Sequence, residues 1–93
     1  MEYKVLIKLY IPEIEDIYEV SIPFNKTVYE VSKLLNQLVN NASGIYPIKT
    51  NISLYNRRSG AIYDRNKLIR ETDIRNGTEL IMMWYYKTIL TKT

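Results

Sequence analysis

Cysteine and histidine are both absent from the 93 residues, and with them go disulfides, thiolate nucleophiles, imidazole bases and every soft-ligand zinc site. A small secreted domain usually needs disulfide staples, so a chain without them is expected in a reducing cytoplasm. Glycine and proline number three each, too few for a collagenous or low-complexity chain. Long hydrophobic runs are also missing. The densest, Leu80 to Tyr86, is strand length, far short of the roughly 20 residues that cross a bilayer. Met1-Glu2-Tyr3-Lys4 places an acid where an export signal wants basic residues, and Lys8 interrupts Val5-Leu6-Ile7. No membrane span, export signal or cofactor is expected.

What is present describes one small domain. Apolar residues make up 46% and charged residues 25%, ordinary usage for a chain that folds unaided, but a domain this size has little room for a deep catalytic cavity. Carboxylates are the remaining candidates for acid–base work, and neither Glu13/Glu15 nor Asp64/Glu71/Asp73 has a metal or nucleophile spacing. The chain reads as a non-enzyme. Its net charge of +3 is unevenly spread. Glu13, Glu15, Asp16 and Glu19 cluster early, whereas Arg57, Arg58, Arg65, Lys67, Arg70 and Arg75 load the later half. Charge runs are usually solvated surface. Together with nine tyrosines and Trp84, however, the cations Arg57, Arg58, Arg65, Lys67 and Arg70 keep RNA or another polyanion as an alternative ligand.

Period-two alternation predicts a first strand over Tyr3–Ile11 and, after Pro12 and the acidic cluster, a second over Tyr18–Ile22 ending at Pro23. Thr27 and Glu30 form a capping-box pair, and Val28, Val31, Leu34, Leu35, Leu38 and Val39 then recur on one helical face. The helix should end near Asn41 to Gly44, with Pro47 preventing continuation. Asn51–Tyr55 and Ala61–Tyr63 read as strands joined by the Arg58-Ser59-Gly60 turn. Leu68, Ile69 and Ile74 anchor an irregular connection to the Asn76-Gly77 turn and a last strand, Thr78 to Tyr86. Residues 1–86 form the expected domain and 87–93 a tail.

The order strand, strand, helix, strand, strand, strand resembles ubiquitin. The matched positions are Pro23, Thr27-Val28, Leu68, Asp73-Ile74 and Thr78-Glu79-Leu80-Ile81-Met82-Met83. Within that superfamily Tyr18-Glu19-Val20-Ser21-Ile22-Pro23, the aliphatic helix, and Asp64-Arg65-Asn66-Lys67-Leu68-Ile69 leading to Asp73-Ile74-Arg75-Asn76-Gly77-Thr78-Glu79-Leu80 resemble the YukD/EsaB family. Those are small bacterial ubiquitin-like proteins that accompany type VII (WXG100) secretion systems. The chain departs from the family at Thr78, where aspartate is common. The resemblance implies an α+β, ubiquitin-like β-grasp: a mixed sheet of four to five strands with one amphipathic helix across one face. It also implies a protein-interaction module, accessory or regulatory to secretion. Ubiquitin and its sulfur-carrier relatives are activated through a terminal diglycine, whereas this sequence closes on Leu90-Thr91-Lys92-Thr93, so conjugation through the C-terminus is not expected.

With Val5, Ile7, Leu9, Leu80, Met82 and Trp84 facing the helix, strand parity turns Leu6, Tyr55, Ile81, Met83 and Tyr85 to the other face. Ubiquitin-like modules often bind through that face, and Leu6, Tyr55, Ile81 and Met83 are the candidate interaction residues. A protein partner such as a secretion-system component, a second copy forming a homodimer, or the tail 87–93 are the expected occupants.

Overall fold

A computed structural model describes residues 3–43 and 50–86. β1 (Lys4–Ile11) turns through a short 3-10 segment, Pro12–Ile14, into β2 (Asp16–Pro23), followed by α1 (Val28–Ser43), β3 (Thr50–Asn56), a 3-10 turn at Ile69–Glu71 and β4 (Glu79–Tyr86). The strand order is β2-β1-β4-β3. The central pair β1 and β4 is parallel and both outer pairs are antiparallel, which gives the expected mixed sheet with one helix across it.

Local chemistry accounts for the joints. In the first hairpin, Pro12 opens the 3-10 turn and Glu15 closes it in the left-handed region, φ 53°, its amide donating to the Pro12 carbonyl at 3.1 Å. At the start of α1 the Glu30 amide donates to Thr27 Oγ1 at 3.0 Å while the Thr27 amide donates to Glu30 Oε1 at 2.9 Å. The capping box is therefore formed, and that backbone bond from Thr27 is the main cause holding the Glu30 carboxyl below its usual range. Asn76 and Gly77 turn the chain into β4. Gly77 takes the positive φ, 89°, and the pair docks on β1 by bonds from Leu6 N to Asn76 Oδ1 and from Gly77 N to the Leu6 carbonyl, both 2.8 Å.

The core lies between sheet and helix. Val5, Ile7, Leu9, Leu80, Met82 and Trp84 are all buried there, as strand parity required, against Val28, Val31, Leu35 and Val39. Three expectations need correction. Leu34 and Leu38 are 48% and 40% exposed, because the face covered by one sheet is narrower than the apolar stripe. Ala61–Tyr63 is not a strand: it contributes one bridge, Ile62 to Tyr55, since the Asn56–Gly60 turn reverses the chain but only the Leu54 and Asn56 backbone groups receive it. The second strand also starts earlier than expected, at Asp16. Gly44, Pro47 and the tail 87–93 lie outside the described residues.

Candidate functional site

On the sheet face away from α1 the register sets side chains in rows. Tyr10 of β1 stands opposite Ile17 of β2 and Ile81 of β4, and Ile81 stands opposite Tyr55 of β3. The result is one apolar row, Ile17-Tyr10-Ile81-Tyr55, across all four strands, on the order of 15 Å wide at the usual strand spacing. Ile17 is 57% exposed, and Tyr10, Ile81 and Tyr55 are half-buried. The neighbouring row is charged: Glu19, Lys8 and Glu79. Arg57, just beyond β3, joins the two rows. Its guanidinium lies 3.9 Å from the centre of the Tyr10 ring and bonds Glu79 Oε1 at 3.0 Å. A shallow depression of about 350 Å³ follows, bounded by Tyr10, Ile17 and Ile81, by Glu15 and Asp16 at the hairpin, and by Arg57.

Of the four candidates, the structure joins Tyr55 and Ile81 as direct neighbours. Met83 extends the patch one position along β4, opposite Ser53, and is 38% exposed. Leu6 is exposed but separate: it pairs with Ser21 and sits beside the Asn76–Gly77 turn, on the far side of the Lys8 and Glu79 row. The Tyr85 side chain lies outside the described residues. Tyr10 and Ile17 were missing from the expected site. Tyr10 alternates with the buried residues of β1 and carries the parity signal itself, but Ile17 becomes visible only once β2 is known to begin at Asp16.

The five candidate cations do not form one cluster. Arg57 is engaged on the sheet, and Arg58 is exposed in the next turn, where its amide donates to Asn56 Oδ1 at 2.8 Å. Arg65 and Lys67 belong to a segment held against the start of α1, their carbonyls accepting from Tyr29 N at 3.1 Å and Val28 N at 2.8 Å. Arg65 also lies 4.7 Å over the Tyr29 ring, with Lys33 Nζ 5.3 Å from it. Arg70 is exposed near the end of β2, its amide bonded to the Phe24 carbonyl at 3.0 Å. Between the groups Tyr63 acts as a staple, donating to Asp73 Oδ1 at 2.6 Å and accepting from Asn56 Nδ2 at 2.9 Å. Burial, reinforced by the bond to Asp73, pushes its phenol up to about 12.

The sequence matches no protein-family model and no curated protein. Solved structures share the fold. A chain of the toluene 4-monooxygenase HD complex with 4-bromobenzoate superposes with a TM-score of 0.76 at 12% identity, over 89% of this chain and 100% of that one. The EccD5 ubiquitin-like domain from Mycobacterium xenopi gives 0.74 at 14% identity, over 92% and 99%. A chain of the MycP5-free ESX-5 inner membrane complex gives 0.73 at 18%, over 97% of this chain but only 23% of that longer one. At these identities the likeness establishes a ubiquitin-like β-grasp. Among the described residues, no helix is long and apolar enough to cross a membrane.

Proposed function

We propose that this domain is a non-enzymatic, ubiquitin-like interaction module that binds a protein through its open sheet face, as an accessory or regulatory component of a type VII (WXG100) secretion system acting in the cytoplasm by non-covalent docking. The observation that carries the reading is the row Ile17-Tyr10-Ile81-Tyr55. A single helix covers the other face, so these side chains add nothing to the core, yet they form a continuous apolar surface of the kind that marks interaction sites. Arg57 is fixed at its rim by Tyr10 and Glu79, supplying an oriented polar contact at little further entropic cost. Likeness to the EccD5 domain and to a chain of the ESX-5 inner membrane complex, with the motif resemblance to YukD/EsaB proteins, supports secretion as the setting.

The test is Ile81→Asp, which places a charge where a partner must exclude water. The variant should fold normally and lose co-purification with type VII secretion-complex components. Retained co-purification would remove the sheet face from the proposal. The second reading, polyanion binding, is favoured by the cations gathered with Tyr29 at the start of α1. It requires affinity for RNA that falls linearly with salt on a log–log plot and is lost in Arg65→Glu.

A further inference from the structure

The antiparallel pair of β3 and β4 ends where Asn56 stands opposite Leu80, with one further bond beyond it, from Arg57 N to the Glu79 carbonyl at 2.9 Å. There the two chains part into tight turns. β3 runs into the Asn56–Gly60 turn, closed by Gly60 N on the Asn56 carbonyl at 2.8 Å. β4 is entered from the Asn76–Gly77 turn, closed by Thr78 N on the Arg75 carbonyl at 3.0 Å. Between the turns lies a cleft of about 240 Å³, lined by Asn56, Arg58, Asn76, Gly77, Thr78 and Glu79. It shares no lining residue with the depression at Tyr10, Ile17 and Ile81. Arg57 connects the two, since it lines that depression and bonds Glu79 of this cleft.

What the cleft offers a ligand is decided by which groups of its lining are already used. Asn76 Oδ1 accepts from Leu6 N at 2.8 Å, and Asn56 Oδ1 accepts from Arg58 N at 2.8 Å and from Ser59 N at 2.9 Å. These amide donors fix which end of each carboxamide is the oxygen. Asn56 Nδ2 donates to Tyr63 Oη at 2.9 Å, whereas the Nδ2 hydrogens of Asn76 are left over. Thr78 Oγ1 accepts from Arg75 N at 2.8 Å, which leaves its hydroxyl proton to donate. Arg58 is exposed, and among the described residues no carboxylate pairs with it. The acid of the cleft is Glu79. Arg57 holds its Oε1 at 3.0 Å, so that pair adds no net charge and Arg58 sets the sign. The side-chain groups left to a ligand are therefore two neutral donors and one cation.

We propose that this cleft binds a carboxylate, the side chain of an aspartate or glutamate on the protein that docks on the open sheet face. The inference rests on docking at that face and deepens it, because it gives the partner an acidic residue beside its apolar ones. Asn76 Nδ2 and Thr78 Oγ1 donate to the carboxylate oxygens, and the Arg58 guanidinium adds a charge-assisted bond. The position suits that role. Arg57 stacks on Tyr10 within the apolar row and holds Glu79 at the cleft, so a segment lying on the row ends beside the donors, and a polar contact at the rim fixes its register. A monoanion is the fitting charge. A phosphate dianion would meet Glu79 with one uncompensated cation to offset it, and phosphate sites rely on free backbone amides. Here Arg58 N and Ser59 N are committed to Asn56, Gly77 N to Leu6 and Thr78 N to Arg75.

The probe is aspartate capped at both ends, titrated into the full chain at constant ionic strength and followed by amide and side-chain NMR. Capped asparagine is the control of equal shape, and inorganic phosphate is the competing anion. Saturating shifts should appear at the Asn76 carboxamide, Thr78 and Arg58, with capped asparagine inert and phosphate weaker than aspartate. Asn76→Asp keeps an oxygen for the Leu6 amide but replaces the donor with negative charge, and should weaken binding by about tenfold or more. Arg58→Gln, on an exposed turn, should weaken it by about fivefold and carries the test if the first variant misfolds. Glu79→Gln removes the acid and frees Arg57, so binding should tighten. Ile81→Asp should leave the titration unchanged while partner co-purification is lost, so failure of the cleft and failure of the sheet-face reading are told apart. Shifts that do not saturate, equal shifts from capped asparagine, phosphate bound more tightly than aspartate, or indifference to both Asn76→Asp and Arg58→Gln would each overturn the proposal.

Discussion

The two faces of the sheet are made by the same four strands with the same alternation, yet they are composed differently. On the helix side the central positions Ile7, Leu9, Leu80 and Met82 are fully buried with no charge among them. On the open side an apolar row, Ile17-Tyr10-Ile81-Tyr55, lies directly against a charged one, Glu19-Lys8-Glu79. A face that had to build a core would not carry the second row, and the first is what the proposed docking rests on. The difference teaches that burial and a candidate docking surface are read from different features of one pattern. Burial follows from parity within a strand, the candidate surface from what the register sets side by side.

The largest effect that sharpens this contrast is expected on the covered side. Leu35→Ala should destabilise the domain by about 2–5 kcal/mol in denaturant unfolding, through lost transfer free energy and the cavity left behind. Leu38→Ala on the exposed flank should cost less than about 1 kcal/mol. Comparable values for the two would mean that α1 is rotated on the sheet. An intermediate effect belongs to Tyr63, which staples Asn56 to Asp73. Its phenol is raised from 10.0 to about 12 in the folded protein, so the folded state holds a proton that the unfolded chain has released. The associated stability is fully present below pH 10 and disappears as pH rises through the folded value. Tyr63→Phe should flatten the unfolding-versus-pH curve in that alkaline window, and an unchanged slope would remove the staple. The smallest stability effect is expected on the open face, where Ile81→Asp should move the unfolding free energy by less than about 1 kcal/mol. Global unfolding of that variant would show that the row is core.

Most of the architecture was legible in the sequence because it is written in local periods. The alternation of β1, the Thr27–Glu30 box and the Asn76–Gly77 turn each involve neighbours in the chain, and each appears in the structure as read. What was misread depends on partners distant in sequence. Leu34 and Leu38 belong to the apolar stripe of α1, but how much of a stripe is covered is decided by the breadth of the sheet beneath it. Ala61–Tyr63 has strand composition, yet a strand needs a ladder, and β3 offers that segment one bridge. In the candidate site Tyr55 and Ile81 could be placed on one face by parity alone. Their adjacency, the addition of Tyr10 and Ile17, and the isolation of Leu6 all depend on cross-strand register, which two-residue alternation does not encode.

The position of β4 has a consequence for synthesis. Among the described strands this one is last in sequence but central in the sheet, parallel to β1 and antiparallel to β3, and it supplies Leu80, Met82 and Trp84 to the core. As the polypeptide leaves the ribosome, the first hairpin and the helix emerge with a gap where their neighbour belongs. One side of β1 and one side of β3 stay unpaired until β4 threads between them. This sheet is therefore completed by long-range closure once β4 has emerged, the slow kind of event in high-contact-order topologies. During that interval two adhesive strand edges await a single partner, and any factor that shelters the nascent domain has to act there.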